Sequence, residues 1–242
     1  MTGAPAITLT GSHAFRGTLL FDTLALTLPG GQWTCLLGPS GVGKTTMLRL
    51  LLDLETGGSF SGAITASDAA PLQGRISYMA QSDLLMPWLS VRENVILGAR
   101  LRGEHPDMSH AQNLIDRVGL GEHAAKKPHQ LSGGMRQRVA LARTLMEARP
   151  VVLLDEPFSA LDAGTRADMQ ELAAEMLIGK TVLLVTHDPA EATRLGHQII
   201  LMSADGATAW PMPDTQPVRD NRAPGTLACQ AALLDHLRGH IS

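Results

Sequence analysis

Gly38-Pro-Ser-Gly-Val-Gly-Lys44-Thr45 decides the reading of this chain, because the pattern G-x-x-x-x-G-K-[ST] stands between two segments of opposite character. Residues 33–37, Trp-Thr-Cys-Leu-Leu, form a short apolar run of buried-strand type, and residues 46–54 continue as a helical run. A strand, a glycine loop and a helix in that order curl backbone N–H groups around an anion. A Cβ at Gly41 or Gly43 would crowd that anion. Lys44 adds a point charge, Thr45 offers a hydroxyl to Mg²⁺, and the helix N-terminus adds the positive end of its dipole.

Outward from this loop, short apolar runs alternate with amphipathic ones, the pattern of a largely parallel sheet covered by helices. Strands are predicted at 33–37, 75–79, 151–154, 181–185 and 198–202. Segments 7–10, 24–28 and 61–65 have no helices between them and predict an antiparallel annex. From 84 to 145 the pattern is helical, and Ser90-Val-Arg-Glu93 and Ser109-His-Ala-Gln112 both have capping-box spacing. The expectation is an α/β fold with a mostly parallel sheet, an antiparallel β annex and an inserted helical subdomain, all within one domain over 1–242. Its tail, 203–242, reads as a proline-bearing loop to residue 225 and a short helix near 226–237, with no second or regulatory domain expected.

Composition narrows the partners. Twenty Lys and Arg stand against 23 Asp and Glu, for a net charge of −3, so broad phosphate neutralisation on nucleic acid is not expected. With 44% hydrophobic residues the 242-residue chain can bury a sizeable core. Cys35 and Cys229 lie far apart without metal-ligand spacing, which fits a reducing compartment. The N-terminus lacks a basic and apolar leader, and no apolar stretch approaches the ~20 residues of a membrane span.

A second site-forming stretch is Val151-Val-Leu-Leu-Asp155-Glu156, a buried-type strand ending in two carboxylates that an apolar core would not tolerate unpaired. They are expected at an exposed strand edge. Asp155 is placed to hold Mg²⁺, and Glu156 to polarise a water attacking a γ-phosphate.

Leu131-Ser-Gly-Gly-Met-Arg-Gln137 completes the set. It is similar to the signature of the ATP-binding cassette family, usually L-S-G-G-Q, with Met135 at the fifth position. The resemblance extends over about residues 7 to 202 and implies a P-loop NTPase fold that binds and hydrolyses ATP with Mg²⁺. It implies that Gly38, Pro39, Ser40, Gly41, Val42, Gly43, Lys44, Thr45 and Thr46 bind ATP. Phe15 would stack on the base, with Phe21 expected in the core. Gln81 resembles the glutamine that contacts Mg²⁺ and the attacking water, so the metal set is Thr45, Gln81 and Asp155. His187 resembles the switch histidine that orients Glu156, which makes Glu156, His187 and Gln81 the catalytic group.

The same resemblance implies a homodimer, in which Ser132, Gly133 and Gly134 contact the ATP of the other subunit and Asp162 belongs to a loop that crosses between subunits. Leu84, Leu85, Met86 and Trp88 make an apolar cluster in the loop after Gln81, a place where members of the family receive an integral-membrane permease. Around it the sequence resembles bacterial importer subunits for nitrate, sulfonates, taurine and thiamine-precursor pyrimidines, the last group most. The implied setting is the cytoplasmic face of the inner membrane, with a substrate-binding protein reached through the permease. A soluble ATPase of iron–sulfur cluster assembly is the alternative.

Overall fold

The computed structural model describes residues 3–203 and 206–239. Residues 1–2 of the N-terminal stretch, and 204–205 and 240–242 of the predicted tail, lie outside the described residues.

Strands β1 (Ile7–Phe15), β2 (Thr18–Leu28) and β4 (Ser59–Ala66) form an antiparallel sheet in the order β2-β1-β4. Ile7 pairs with Leu28 and Leu9 with Leu26, so all four apolar side chains share one buried face. The second sheet has six strands in the order β5-β6-β7-β3-β8-β9. Its members are β3 (Trp33–Leu37), β5 (Ile76–Met79), β6 (Val151–Asp155), β7 (Thr181–Val185), β8 (Gln198–Ser203) and β9 (Gly206–Trp210). β3 runs parallel to both β7 and β8. Every residue of β3, β6 and β7 is buried, which is why each reads as a mostly apolar run instead of an alternation.

Two expectations are corrected here. The stretch 203–225 is not all loop, because β9 pairs antiparallel with β8, Ile199 opposite Trp210 and Met202 opposite Ala207. Gly206-Ala-Thr-Ala-Trp210 is an end strand of small residues with little burial, so it lacks the apolar run that marks the inner strands. Helix α4 (Met108–Arg117) starts one residue before Ser109, capped by Asp107, whose Oδ1 accepts the His110 N–H at 2.9 Å. An anionic cap also meets the helix dipole, and Gln112 is instead engaged with Arg92 and Asp116, each at 2.9 Å. The Ser90 capping box forms as expected at α2 (Val91–Val95), with Ser90 and Glu93 exchanging hydrogen bonds.

The chain divides into two compact units. The first, Met1–Ile76, Pro150–Leu153 and Gly179–Ser242, contains the antiparallel sheet, β3 and β7–β9. Its helices are α1 (Lys44–Leu51), α7 (Pro189–Leu195) and α8 (Pro224–Gly239). The second, Ser77–Arg149 and Leu154–Ile178, contains α2, α3 (Leu97–Leu101), α4, α5 (Gly133–Met146) and α6 (Ala163–Met176). Its core gathers Val91, Val95, Leu114, Ile115, Val139, Leu141 and Leu145 from α2, α4 and α5. Among the described residues no helix is long and apolar enough to cross a membrane.

Candidate functional site

In the first unit, β3 delivers the glycine loop and β7 delivers His187, and the two strands are parallel neighbours with Leu36 opposite Val185. The Thr186 N–H donates to the Leu36 carbonyl at 3.2 Å, so both connections leave the sheet at the same carboxyl edge. Gly43 has φ +106 and immediately precedes α1, a left-handed backbone that only glycine adopts without strain. A Cβ there would stand 3.2 Å from Leu20 and Phe21, so its smallness also lets the loop lie against β2. Gly41, with φ +81, faces open space, so its conformation is what calls for glycine. Lys44 Nζ donates to the carbonyls of Gly38 and Pro39 at 2.7 and 2.8 Å, which holds the ammonium over the loop it belongs to. Ser40, Gly41 and Thr45 are exposed, Val42 is buried, and Thr46 is half-buried in the first turn of α1.

His187 is exposed but sits between two fixed residues. The Thr186 hydroxyl accepts the Asp188 N–H at 3.1 Å, and Asp188 in turn caps α7 through the Ala190 N–H at 2.9 Å. Phe15 ends β1 and is 44% exposed, with the Arg16 guanidinium 5.3 Å from its ring centre. Phe21 is buried in the core, as expected.

In the second unit, Gln81 Nε2 donates to Glu156 Oε2 at 3.0 Å across 75 residues of sequence. Asp155, at the end of β6, is buried instead of lying at an exposed edge, and its Oδ2 lies 3.5 Å from the Tyr78 hydroxyl of β5. The Tyr78 hydroxyl thus offers this buried carboxylate a donor. Glu156 is half-buried and has φ +48. Ser132 caps α5, its Oγ accepting the Met135 N–H at 3.2 Å. Gly134 lies against the 159–162 loop, where an added Cβ would meet the Ala160 carbonyl at 3.3 Å. Asp162 caps α6 through the Thr165 N–H at 3.1 Å, and that hydrogen bond holds its carboxyl below the usual range.

Four residues that organise these loops carry no signal in the sequence. Gln137, inside the signature stretch, is buried and bonds to Glu156 and Ala160. Asn94 is fully buried and bonds to Met86, Leu89 and Ser90. Arg143 donates to the carbonyls of Asp83 and Leu84, and Arg136 pairs with the Asp83 carboxylate at 2.9 Å. In the apolar cluster, Leu85 is buried, whereas Leu84 and Trp88 are 56% and 66% exposed.

A strand–glycine-loop–helix carrying Lys44 and Thr45 on a parallel sheet, with a two-carboxylate strand end elsewhere in the chain, defines a P-loop ATPase. The family model described as ABC transporter matches residues 21–159. An uncharacterized ABC transporter ATP-binding protein of Haemophilus influenzae is 44% identical over 235 residues, 94% of this chain and 96% of that one. The aliphatic sulfonates import ATP-binding protein SsuB 2 of Agrobacterium fabrum is 43% identical over 83% of this chain and 77% of its own. Among solved structures, a dimeric ATP-binding cassette in a post-hydrolysis state with ADP and Pi is 28% identical, with a TM-score of 0.71 over 88% of this chain and 99% of that chain. The chain belongs to the ABC transporter family, as an ATP-binding, ATP-hydrolysing subunit.

Proposed function

We propose that this chain is the energy-coupling ATPase of an importer, a single cassette domain over 1–242 that works as a head-to-tail homodimer on the cytoplasmic face of a membrane permease. The Gln81–Glu156 hydrogen bond carries the reading, since it holds the candidate base by the side chain expected to sense the attacking water. Residues Gly38 to Thr46 cradle the triphosphate with backbone N–H groups and the Lys44 ammonium, and Phe15 offers the base a ring face. Glu156 accepts the proton of the attacking water, and His187 faces the γ-phosphate. Ser132, Gly133 and Gly134 contact the nucleotide of the partner copy, and Asp162 fixes the loop that crosses to it.

Thr45 brings a hydroxyl, Gln81 an amide oxygen and Asp155 a carboxylate, all oxygen donors of the kind Mg²⁺ takes. Among the described residues no cluster of three or more His, Cys, Asp or Glu could enclose a metal. Bound by these oxygens, Mg²⁺ would neutralise charge on the phosphates.

Exposed Trp88 and Leu84, on a loop pinned by Asn94 and Arg143, are apolar anchors for a short helix of the permease, through which a substrate-binding protein acts. The importer names of the sulfonate relatives support this partner. Isolating the Glu156→Gln protein with ATP from gently solubilised native membranes should bring down a multi-span permease. Recovery of soluble partners alone would overturn the importer reading.

A further inference from the structure

Glu156 is held from two directions, and only one of them is its carboxylate. Its backbone is left-handed at φ +48, a conformation a non-glycine residue keeps only where its surroundings impose it. The imposing contacts converge on its carbonyl. That oxygen accepts from Gln137 Nε2 at 3.0 Å, from Ser159 Oγ at 3.0 Å and from the Ser159 N–H at 3.3 Å. The other end of the Gln137 amide accepts the Ala160 N–H at 2.8 Å, which also fixes which amide atom is oxygen. Gln137 is 5% exposed and lies in α5, one turn beyond the Ser132 cap.

We infer that Gln137 is a positioning residue for hydrolysis: its amide clamps the Glu156 carbonyl and the Ala160 N–H together, keeping Glu156 left-handed and its carboxylate within reach of Gln81. The clamp acts on backbone, so its effect on the carboxylate is geometric. Without the Gln137 amide the carbonyl keeps its Ser159 donors but loses its tie to α5 and to Ala160, so φ of Glu156 relaxes toward the ordinary negative region, the Cα–Cβ bond swings round, and the carboxylate leaves Gln81. The same amide ties the helix that begins with Ser132-Gly133-Gly134 to the 159–162 loop. The placement of the base is thereby set from the element that carries the signature.

This inference rests on the reading of Glu156 as the base. The test measures steady-state ATP hydrolysis and nucleotide binding for Gln137→Leu, Gln137→Glu and Glu156→Gln, with thermal melts as controls. Gln137→Leu keeps the volume and removes all of the side chain's hydrogen bonds, to Glu156, Ser159 and Ala160. It should lower kcat about 10- to 100-fold and leave KM for ATP within about twofold, because the Gly38–Thr46 loop, which carries most of the phosphate contacts, is untouched. Gln137→Glu keeps the acceptor for Ala160 but sets a carboxylate oxygen against the Glu156 carbonyl. Its kcat should be low at alkaline pH and recover relative to wild type on acidification, as the protonated carboxyl becomes a donor again. A purely structural side chain would show no such recovery.

A folded Gln137→Leu protein with wild-type kcat overturns the inference, as does a Gln137→Glu protein whose kcat ratio to wild type is flat with pH. Should Gln137→Leu fail to fold, the Gln137→Glu profile decides. Full turnover by Glu156→Gln would instead remove the base assignment itself.

Discussion

Asn94→Ala should loosen the loop that presents Trp88 while leaving the nucleotide-binding loop intact. Asn94 is fully buried; its Oδ1 accepts the Met86 N–H at 2.8 Å, and its Nδ2 donates to the carbonyls of Ser90, Leu89 and Met86 at 3.0, 3.2 and 3.3 Å. Two of those carbonyls keep other donors after truncation: Met86 retains the Leu89 N–H, and Ser90 retains the Asn94 N–H. The Met86 N–H and the Leu89 carbonyl lose theirs. An orphaned buried N–H costs about 1–3 kcal/mol and each lost hydrogen bond about 1, so the total is about 3 kcal/mol. For a chain of this length that lowers Tm by about 6–12 °C, measured by circular dichroism. Asn94→Asp should be at least as damaging, since it keeps the acceptor for Met86 but turns a carboxylate oxygen toward three carbonyls. Chymotrypsin should cut both variants at Leu84 or Trp88 well before wild type. A Tm within about 1 °C of wild type for Asn94→Ala, with unchanged proteolysis, would refute the claim that this amide holds the loop.

Lys44→Ala should weaken ATP binding about 10- to 100-fold, the value of a charge-assisted contact to phosphate, while Tm changes little; isothermal titration checks both the sign and the size. Stability should fall as pH drops below about 6.5, because burial lowers the pKa of His13 and His197 while the unfolded chain protonates near the ordinary histidine value of about 6.5. Protonation is taken up on unfolding, so the contribution is complete above 6.5 and is lost as pH falls through the folded values. His197 Nδ1 accepts the Trp33 N–H at 3.0 Å, so His197→Asn, which keeps an acceptor but does not titrate, should flatten the Tm–pH slope. Only Cys229 should react with a thiol reagent in the native protein, since Cys35 is buried in β3 and burial pushes its thiol far up; equal reactivity of both would contradict that packing.

Legibility followed how local each signal was. Strands β3 and β7 were read at their true bounds because burial on both faces writes a mostly apolar run into the sequence. The Ser90 box was read from two residues three apart, and it formed. The same pattern at Ser109 misled, because Asp107 two residues earlier caps the helix better. β9 is silent in the sequence because Gly206-Ala-Thr-Ala209 carries no apolar alternation and Trp210 alone does not make one. Gln81 and Glu156 are joined by a hydrogen bond across 75 residues, and family resemblance, not spacing, placed them in one site. Gln137 and Asn94 stayed silent, since a buried amide looks like a solvated one until its partners are known. A polar residue on the apolar face of a predicted helix was the one available hint.

The most direct test of the central claim is the mass of the Glu156→Gln protein by light scattering with Mg²⁺ and ATP. Two copies should close over the nucleotides, giving a dimer of the 25.7 kDa chain that falls back to monomer when Lys44→Ala is added to the same protein. A monomer under saturating ATP would contradict an ATPase whose signature residues complete the site of a second copy.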